Sequence, residues 1–170
     1  MVWSPPNRPS SRWFPDLGRI VALLNQKGGV VKTSVTLGLA SAAAIAGHNV
    51  LVVDLDPQAS STWVLGIEPG EVAVSTAEVL GKTNPTEAIY ESEWSPYIHV
   101  LPASHRLQQR EQGKPKRLRV ALEQVSPNYD AVLIDCPPSL GNLTISGLVA
   151  ADGSERMTHP ISQRINLPGH

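Results

Sequence analysis

The residues best equipped for chemistry lie in one run, "NQKGGVVKTS", from Asn25 to Ser34. Gly28 and Gly29 precede a lysine and a threonine, and the run starts where an apolar stretch ends. Glycines let main-chain N–H groups close on an anion, and the first N–H groups of a following helix have no intrahelical acceptor. Such a turn binds phosphate. Lys32 would neutralise the outer phosphates of a triphosphate, and the Thr33 hydroxyl would bind Mg²⁺. The bland alternative is a glycine-rich turn with an exposed lysine.

Acidic residues supply the complementary chemistry. "VVDLDPQAS" carries Asp54 and Asp56 at the end of one apolar run, and "VLIDCPPS" carries Asp135 at the end of another. In an open parallel sheet the carboxyl ends of the strands form one edge, where ligands bind. A single Asp after a strand usually forms a turn or caps a helix. Three of them, together with the glycine-rich loop, would make an anion cradle beside carboxylates able to hold a Mg²⁺ shell and orient water.

These groups need elements to position them. "IVALLN" from Ile20 is a continuous apolar run, as in a strand buried on both faces. Residues 32–46 lack proline, are dense in alanine and end at Gly47, which predicts a helix with a glycine C-cap. "VLVVD" (Val50 to Asp54) predicts a second buried strand, completing a βαβ unit. Further along, "STAEVLGK" and "NPTEAIYES" read as short helices with Ser, Thr or Asn starts. "YIHVLPA" reads as a strand stopped by a proline. Residues 104–125 are helical in pattern, with Leu118, Leu122 and Val125 on one face and a break at Gly113 and Pro115. "AVLIDCPPS" predicts another strand and "NLTISGLVAAD" another helix.

The 170 residues correspond to one ordinary domain. With 41% hydrophobic residues but only 5% aromatic, the core must be built from Ala, Val, Leu and Ile. A net charge of −1 gives no global attraction to nucleic acid or anionic membrane. A single cysteine, Cys136, excludes an internal disulfide framework and fits a reducing compartment. No apolar run reaches membrane-spanning length and no signal-peptide order is present, so a cytoplasmic location without a membrane partner is expected. Residues 1–18 read as a flexible Pro/Ser-rich tail. Residues 153–170 read as an irregular tail, where a doubly wound domain should supply another strand. The basic stretch of Arg106, Arg110, Lys114, Lys116, Arg117 and Arg119 reads as a solvated helix face, with contact to DNA phosphates as the alternative. Cys136 reads as a small turn residue.

"QKGGVVKTS", "VLVVDLDPQASS" and "YDAVLIDCPPSLGNLT", in that order, resemble the motifs of ParA/Soj-type partition ATPases, the deviant Walker A branch of the P-loop NTPases. The resemblance covers residues 19–152. It implies an α/β fold, P-loop NTPase-like, with a mostly parallel sheet flanked by helices and incomplete at its C-terminal side. It implies ATP and Mg²⁺ as cofactors, and a role in chromosome or plasmid partitioning. An ATP-dependent homodimer, a ParB-like partner and non-specific DNA are also implied, the last put in doubt by the shortness of the chain. By position, Gly28, Gly29, Val30, Val31, Lys32, Thr33 and Ser34 resemble the phosphate-binding residues. Lys27 resembles the signature lysine that reaches a dimer partner's nucleotide, and Asp56 the residue that positions attacking water. Thr33 resembles the Mg²⁺ ligand, with Asp54 and Asp135 acting on the metal through water.

One residue departs from the family pattern KGGxGK[ST]: Val31 stands where the last glycine belongs. A β-branched residue forced into a left-handed conformation is strained by about 1–3 kcal/mol. The expectation is impaired ATP binding on a largely intact fold. The alternatives are an inactive fragment that retains only protein contacts, and a small-molecule ligase using the same loop.

Overall fold

The computed structural model describes residues 19–24 and 31–151. Both tails assigned from the sequence lie outside these residues.

Five strands form one sheet: β1 (Arg19–Leu23), β2 (Val50–Asp54), β3 (Tyr90–Glu91), β4 (Ile98–Leu101) and β5 (Ala131–Asp135). Their order across the sheet is β1-β5-β2-β4-β3, parallel except for β3, which runs antiparallel on β4. β2 and β5 are buried along their whole length, as their unbroken apolar runs require. Their side chains alternate between two cores. Leu51, Val53, Val132 and Ile134 face one side, whereas Val50, Val52 and Leu133 face the other.

α1 (Val31–Ile45) covers the second face through Leu37, Ala40, Ala43 and Ala44. Its small residues let the helix approach the sheet closely. It ends in a Schellman motif: Gly47, at φ +82°, donates to the Ala44 carbonyl, and His48 donates to that of Ala43. On the other face lie α3 (Thr76–Leu80), α4 (Lys116–Val125) and α5 (Asn142–Ala150). Leu118, Leu122 and Val125 of α4 are all buried there, as their spacing predicts. The short α2 (Ser60–Val64) follows β2.

The segment "NPTEAIYES" departs from its expected helix. Asn84 does cap a turn, accepting from the Thr86 N–H, but only a 3₁₀ turn forms, over Pro85–Ala88. Ile89 is then extended, and Tyr90–Glu91 add an edge strand to β4. The isolated cap outweighed the β-preference of Ile-Tyr only for one turn.

The arginines of the basic stretch are fastened to the protein while staying partly exposed, and Lys114 and Lys116 are exposed, as a solvated face predicts. Arg106 pairs with Glu78 at 3.1 Å and donates to the Val72 carbonyl at 3.0 Å. Arg110 donates to Ala77 O, Arg117 to Leu80 O and Arg119 to Ala151 O. They add donors to carbonyls of the loop before α3, of α3 itself and of Ala151 after α5. Leu80 and Ala151 lie where intrahelical donors run out, whereas Ala77 O also accepts the Gly81 N–H.

Candidate functional site

The sheet register gathers the predicted acids. Leu23 of β1 pairs with Asp135 of β5, and Asp135 pairs with Asp54 of β2, so one row crosses three strand ends. The chain leaves β1 from that row toward α1, which begins at Val31. Lys32 is buried at the start of α1, Thr33 is half-buried and Ser34 is exposed. Lys27, Gly28, Gly29 and Val30 lie outside the described residues. Of Val31 only the backbone is described; it opens α1 in a right-handed helical conformation, so the left-handed strain expected from the sequence does not arise there.

Asp135 is the meeting point. Its Oδ2 accepts the Thr33 hydroxyl at 2.8 Å and the Ser61 hydroxyl at 2.6 Å. Its Oδ1 is buried and has no hydrogen-bond partner among the described residues. A buried carboxylate oxygen without a donor is strongly disfavoured unless a cation or water meets it. Asp54, fully buried, spends both oxygens on donors. Oδ2 accepts the N–H and hydroxyl of Thr62 at 2.9 and 2.8 Å, and Oδ1 accepts the Asp56 N–H at 3.0 Å. The Thr62 hydroxyl in turn accepts the Ala103 N–H at 2.9 Å, joining the end of β2 to the chain after β4.

Asp56 is half-exposed, and its Oδ1 accepts the Gln58 N–H at 2.9 Å, forming the turn into α2. That turn places Ala59 in the left-handed region, φ 55°, immediately before α2. Ser61 and Thr62 are thereby brought back onto the two carboxylates. The sequence reading missed both, because hydroxyl residues at a helix start normally read as caps; the signal was their position just beyond "DLDPQ".

The electrostatics follow from burial. Desolvation pushes the Asp54 carboxyl up to about 7, and the charge of Asp135 adds to the effect. Asp135 is also raised by burial, opposed by the hydrogen bonds from Ser61 and Thr33; Asp56 pushes it further up and Lys32 draws it down. Two carboxylates on adjacent strands therefore resist being charged together unless positive charge joins them. Among the described residues no cluster of three or more His, Cys, Asp or Glu could hold a metal unaided. A hydroxyl beside a carboxylate with one unsatisfied oxygen fits Mg²⁺, which retains waters and takes substrate phosphates as ligands. Cys136, next to this row, is buried and its thiol is raised above its ordinary value by desolvation and by Asp135. It is inert packing.

Residues 18–154 match the AAA domain family. The chain is 40% identical over 142 residues to the sporulation initiation inhibitor protein Soj of Bacillus subtilis, covering 80% of this chain and 56% of Soj. It is 37% identical over 147 residues to the chromosome partitioning protein ParA of Myxococcus xanthus, covering 83% of this chain and 52% of ParA. Among solved structures it resembles cobyrinic acid a,c-diamide synthase from Mycobacterium smegmatis with bound ATP analogue and magnesium. The TM-score is 0.74 at 41% identity, over 78% of this chain and 57% of that one. The cell division ATPase MinD of Pyrococcus furiosus gives a TM-score of 0.68 at 29% identity, over 79% and 56%. The chain spans about half the length of the curated relatives it matches. The parallel sheet, the motif order and the similarity to Soj and ParA agree, and the chain belongs to the ParA/Soj-type family of P-loop ATPases.

Proposed function

We propose that the chain binds Mg²⁺–ATP at the row of strand ends and hydrolyses it as a nucleotide switch in the partitioning of chromosomes or plasmids. The supporting observation is the convergence of Thr33 from α1 and Ser61 from α2 on one oxygen of Asp135, whose other oxygen is buried and has no partner among the described residues. In this reading Gly28, Gly29, Val30, Val31 and Ser34 cradle the phosphates and Lys32 neutralises them. Thr33 ligates the metal, while Asp54 and Asp135 hold its waters. Mg²⁺, when bound, would offset charge on the phosphates. Asp56 orients the attacking water, and Lys27 reaches the nucleotide of a second copy in an ATP-dependent homodimer. A ParB-like protein and non-specific DNA are the partners, in the cytoplasm; among the described residues no helix is long and apolar enough to cross a membrane.

A second reading, ligase chemistry on the same loop, is favoured by the structural similarity to cobyrinic acid a,c-diamide synthase of M. smegmatis. The sequence similarity to Soj and ParA favours the switch.

Calorimetric titration with ATP and Mg²⁺ tests the proposal. The parent should bind, Asp135→Ala should lose the Mg²⁺ dependence, and Val31→Gly should bind more tightly because it removes a branched side chain from the phosphate loop, not because it relieves backbone strain. Binding by Val31→Gly alone would favour the inactive fragment. Binding by neither would sink the nucleotide reading.

A further inference from the structure

A cavity of about 530 Å³ opens between the end of α3, the 3₁₀ turn after it and α4. Four cationic residues line it, Lys82, Lys114, Lys116 and Arg117, and no carboxylate does. None of the four pairs with a carboxylate among the described residues. Arg117 gives one N–H to the Leu80 carbonyl at 3.0 Å; among the described residues the three lysine ammonium groups have no partner. Val79, Pro85 and Ala121 form a buried apolar floor, and Val120, 57% exposed, continues it toward solvent. Lys32, Thr33, Asp54, Asp56 and Asp135 take no part in its lining.

Like charges gathered without counter-ions repel, and a bound anion relieves that repulsion. Lysine serves phosphate as a point charge, and a cavity of this size suits a small molecule whose body rests on apolar side chains. A nucleic-acid duplex would need a continuous stripe of free cations. Arg106, Arg110 and Arg119, which would extend the patch, are instead turned onto carbonyls and carboxylates. We propose that this cavity is a second anion site, taking a small phosphorylated molecule with an apolar body, of the nucleotide class. Its phosphates would lie among Lys82, Lys114, Lys116 and Arg117, and its body against Val79 and Val120.

The test uses the full chain carrying Lys32→Ala, in EDTA, so that Mg²⁺-dependent binding at the strand-end site is disabled. GDP and inorganic pyrophosphate are titrated separately, which distinguishes a nucleotide from phosphate alone. GDP should bind, with affinity falling as salt rises. Adding Lys82→Gln and Lys116→Gln should weaken it about tenfold, the equivalent of about 1.4 kcal/mol. Pyrophosphate should bind more weakly than GDP, because it leaves the exposed Val120 uncovered. Circular dichroism checks the fold; should the double substitution unfold the chain, Lys114→Gln alone should weaken GDP about threefold. No GDP binding, binding indifferent to these substitutions, or pyrophosphate binding as tight as GDP would overturn the proposal. So would a DNA duplex binding through these lysines while GDP does not.

Discussion

The Thr62 hydroxyl works in two directions within a space closed to solvent, donating to Asp54 and accepting from the Ala103 N–H. Valine has nearly the same shape but neither capability. Thr62→Val should leave the Ala103 N–H without an acceptor and Asp54 Oδ2 with one donor fewer. Leaving such groups unpaired costs about 1–3 kcal/mol, and chemical denaturation should show a loss of that size, largely restored by Thr62→Ser. A loss of only a few tenths would mean that water replaces the hydroxyl. The same residue marks the limit of what the sequence discloses at this scale. Asp54, Asp135 and Thr33 were legible because each sits at a strand end or helix start, where chain order alone predicts a shared edge. Ser61 and Thr62 were not, because their approach depends on the left-handed backbone at Ala59, which alanine does not announce.

α3 ends in the same hydrogen-bond pattern as α1, with Thr83 donating to Glu78 O and Lys82 to Val79 O. At α1 the left-handed position is Gly47; at α3 it is Lys82, at φ 89°. Lys82→Gly should therefore stabilise the fold by about 0.5–1 kcal/mol in thermal or urea unfolding. It should also weaken anion binding in the neighbouring cavity, so that stability and affinity move in opposite directions. If stability does not rise, packing of the lysine stem offsets the backbone strain. Elements with one strong periodic signal were legible from the sequence: the two fully apolar strands, the alanine-rich helix capped by Gly47, and α4 with its buried face. Residues 84–91 were not, because a local Asn cap and a long-range pairing with β4 compete for the same few residues. The roles of the arginines before and within α4 were hidden for a related reason: a carbonyl awaiting a donor on another element leaves no trace in composition.

Across the molecule, Asp54, Asp56 and Asp135 gather near the strand ends beside Lys32, and lysines line the α3–α4 cavity, within a chain of net charge −1. This layout makes stability depend on pH. A carboxyl whose pKa is higher in the folded than in the unfolded state holds its proton more tightly when folded. Its contribution is then greatest below the unfolded pKa and declines as pH rises toward the folded one. For Asp54 that window runs from 3.8 to about 7. Two other groups act in the opposite sense. Glu78 is raised by desolvation but lowered further by bonds from Ser75 and by Arg106; with a net lowered pKa, it weakens the fold only below its usual value of 4.5. His99, lowered by burial despite Glu91, weakens it as pH falls below 6.5. Comparison of the parent with Asp54→Asn cancels both. Between about pH 4 and 7, the parent should lose stability relative to Asp54→Asn in urea unfolding without metal or nucleotide. Saturating Mg²⁺ and ATP should flatten that difference, because positive charge at the strand ends stabilises both carboxylates in their ionised form. A difference that keeps its slope with Mg²⁺ and ATP present would show that the cation binds elsewhere, and the orphaned oxygen of Asp135 would need another explanation.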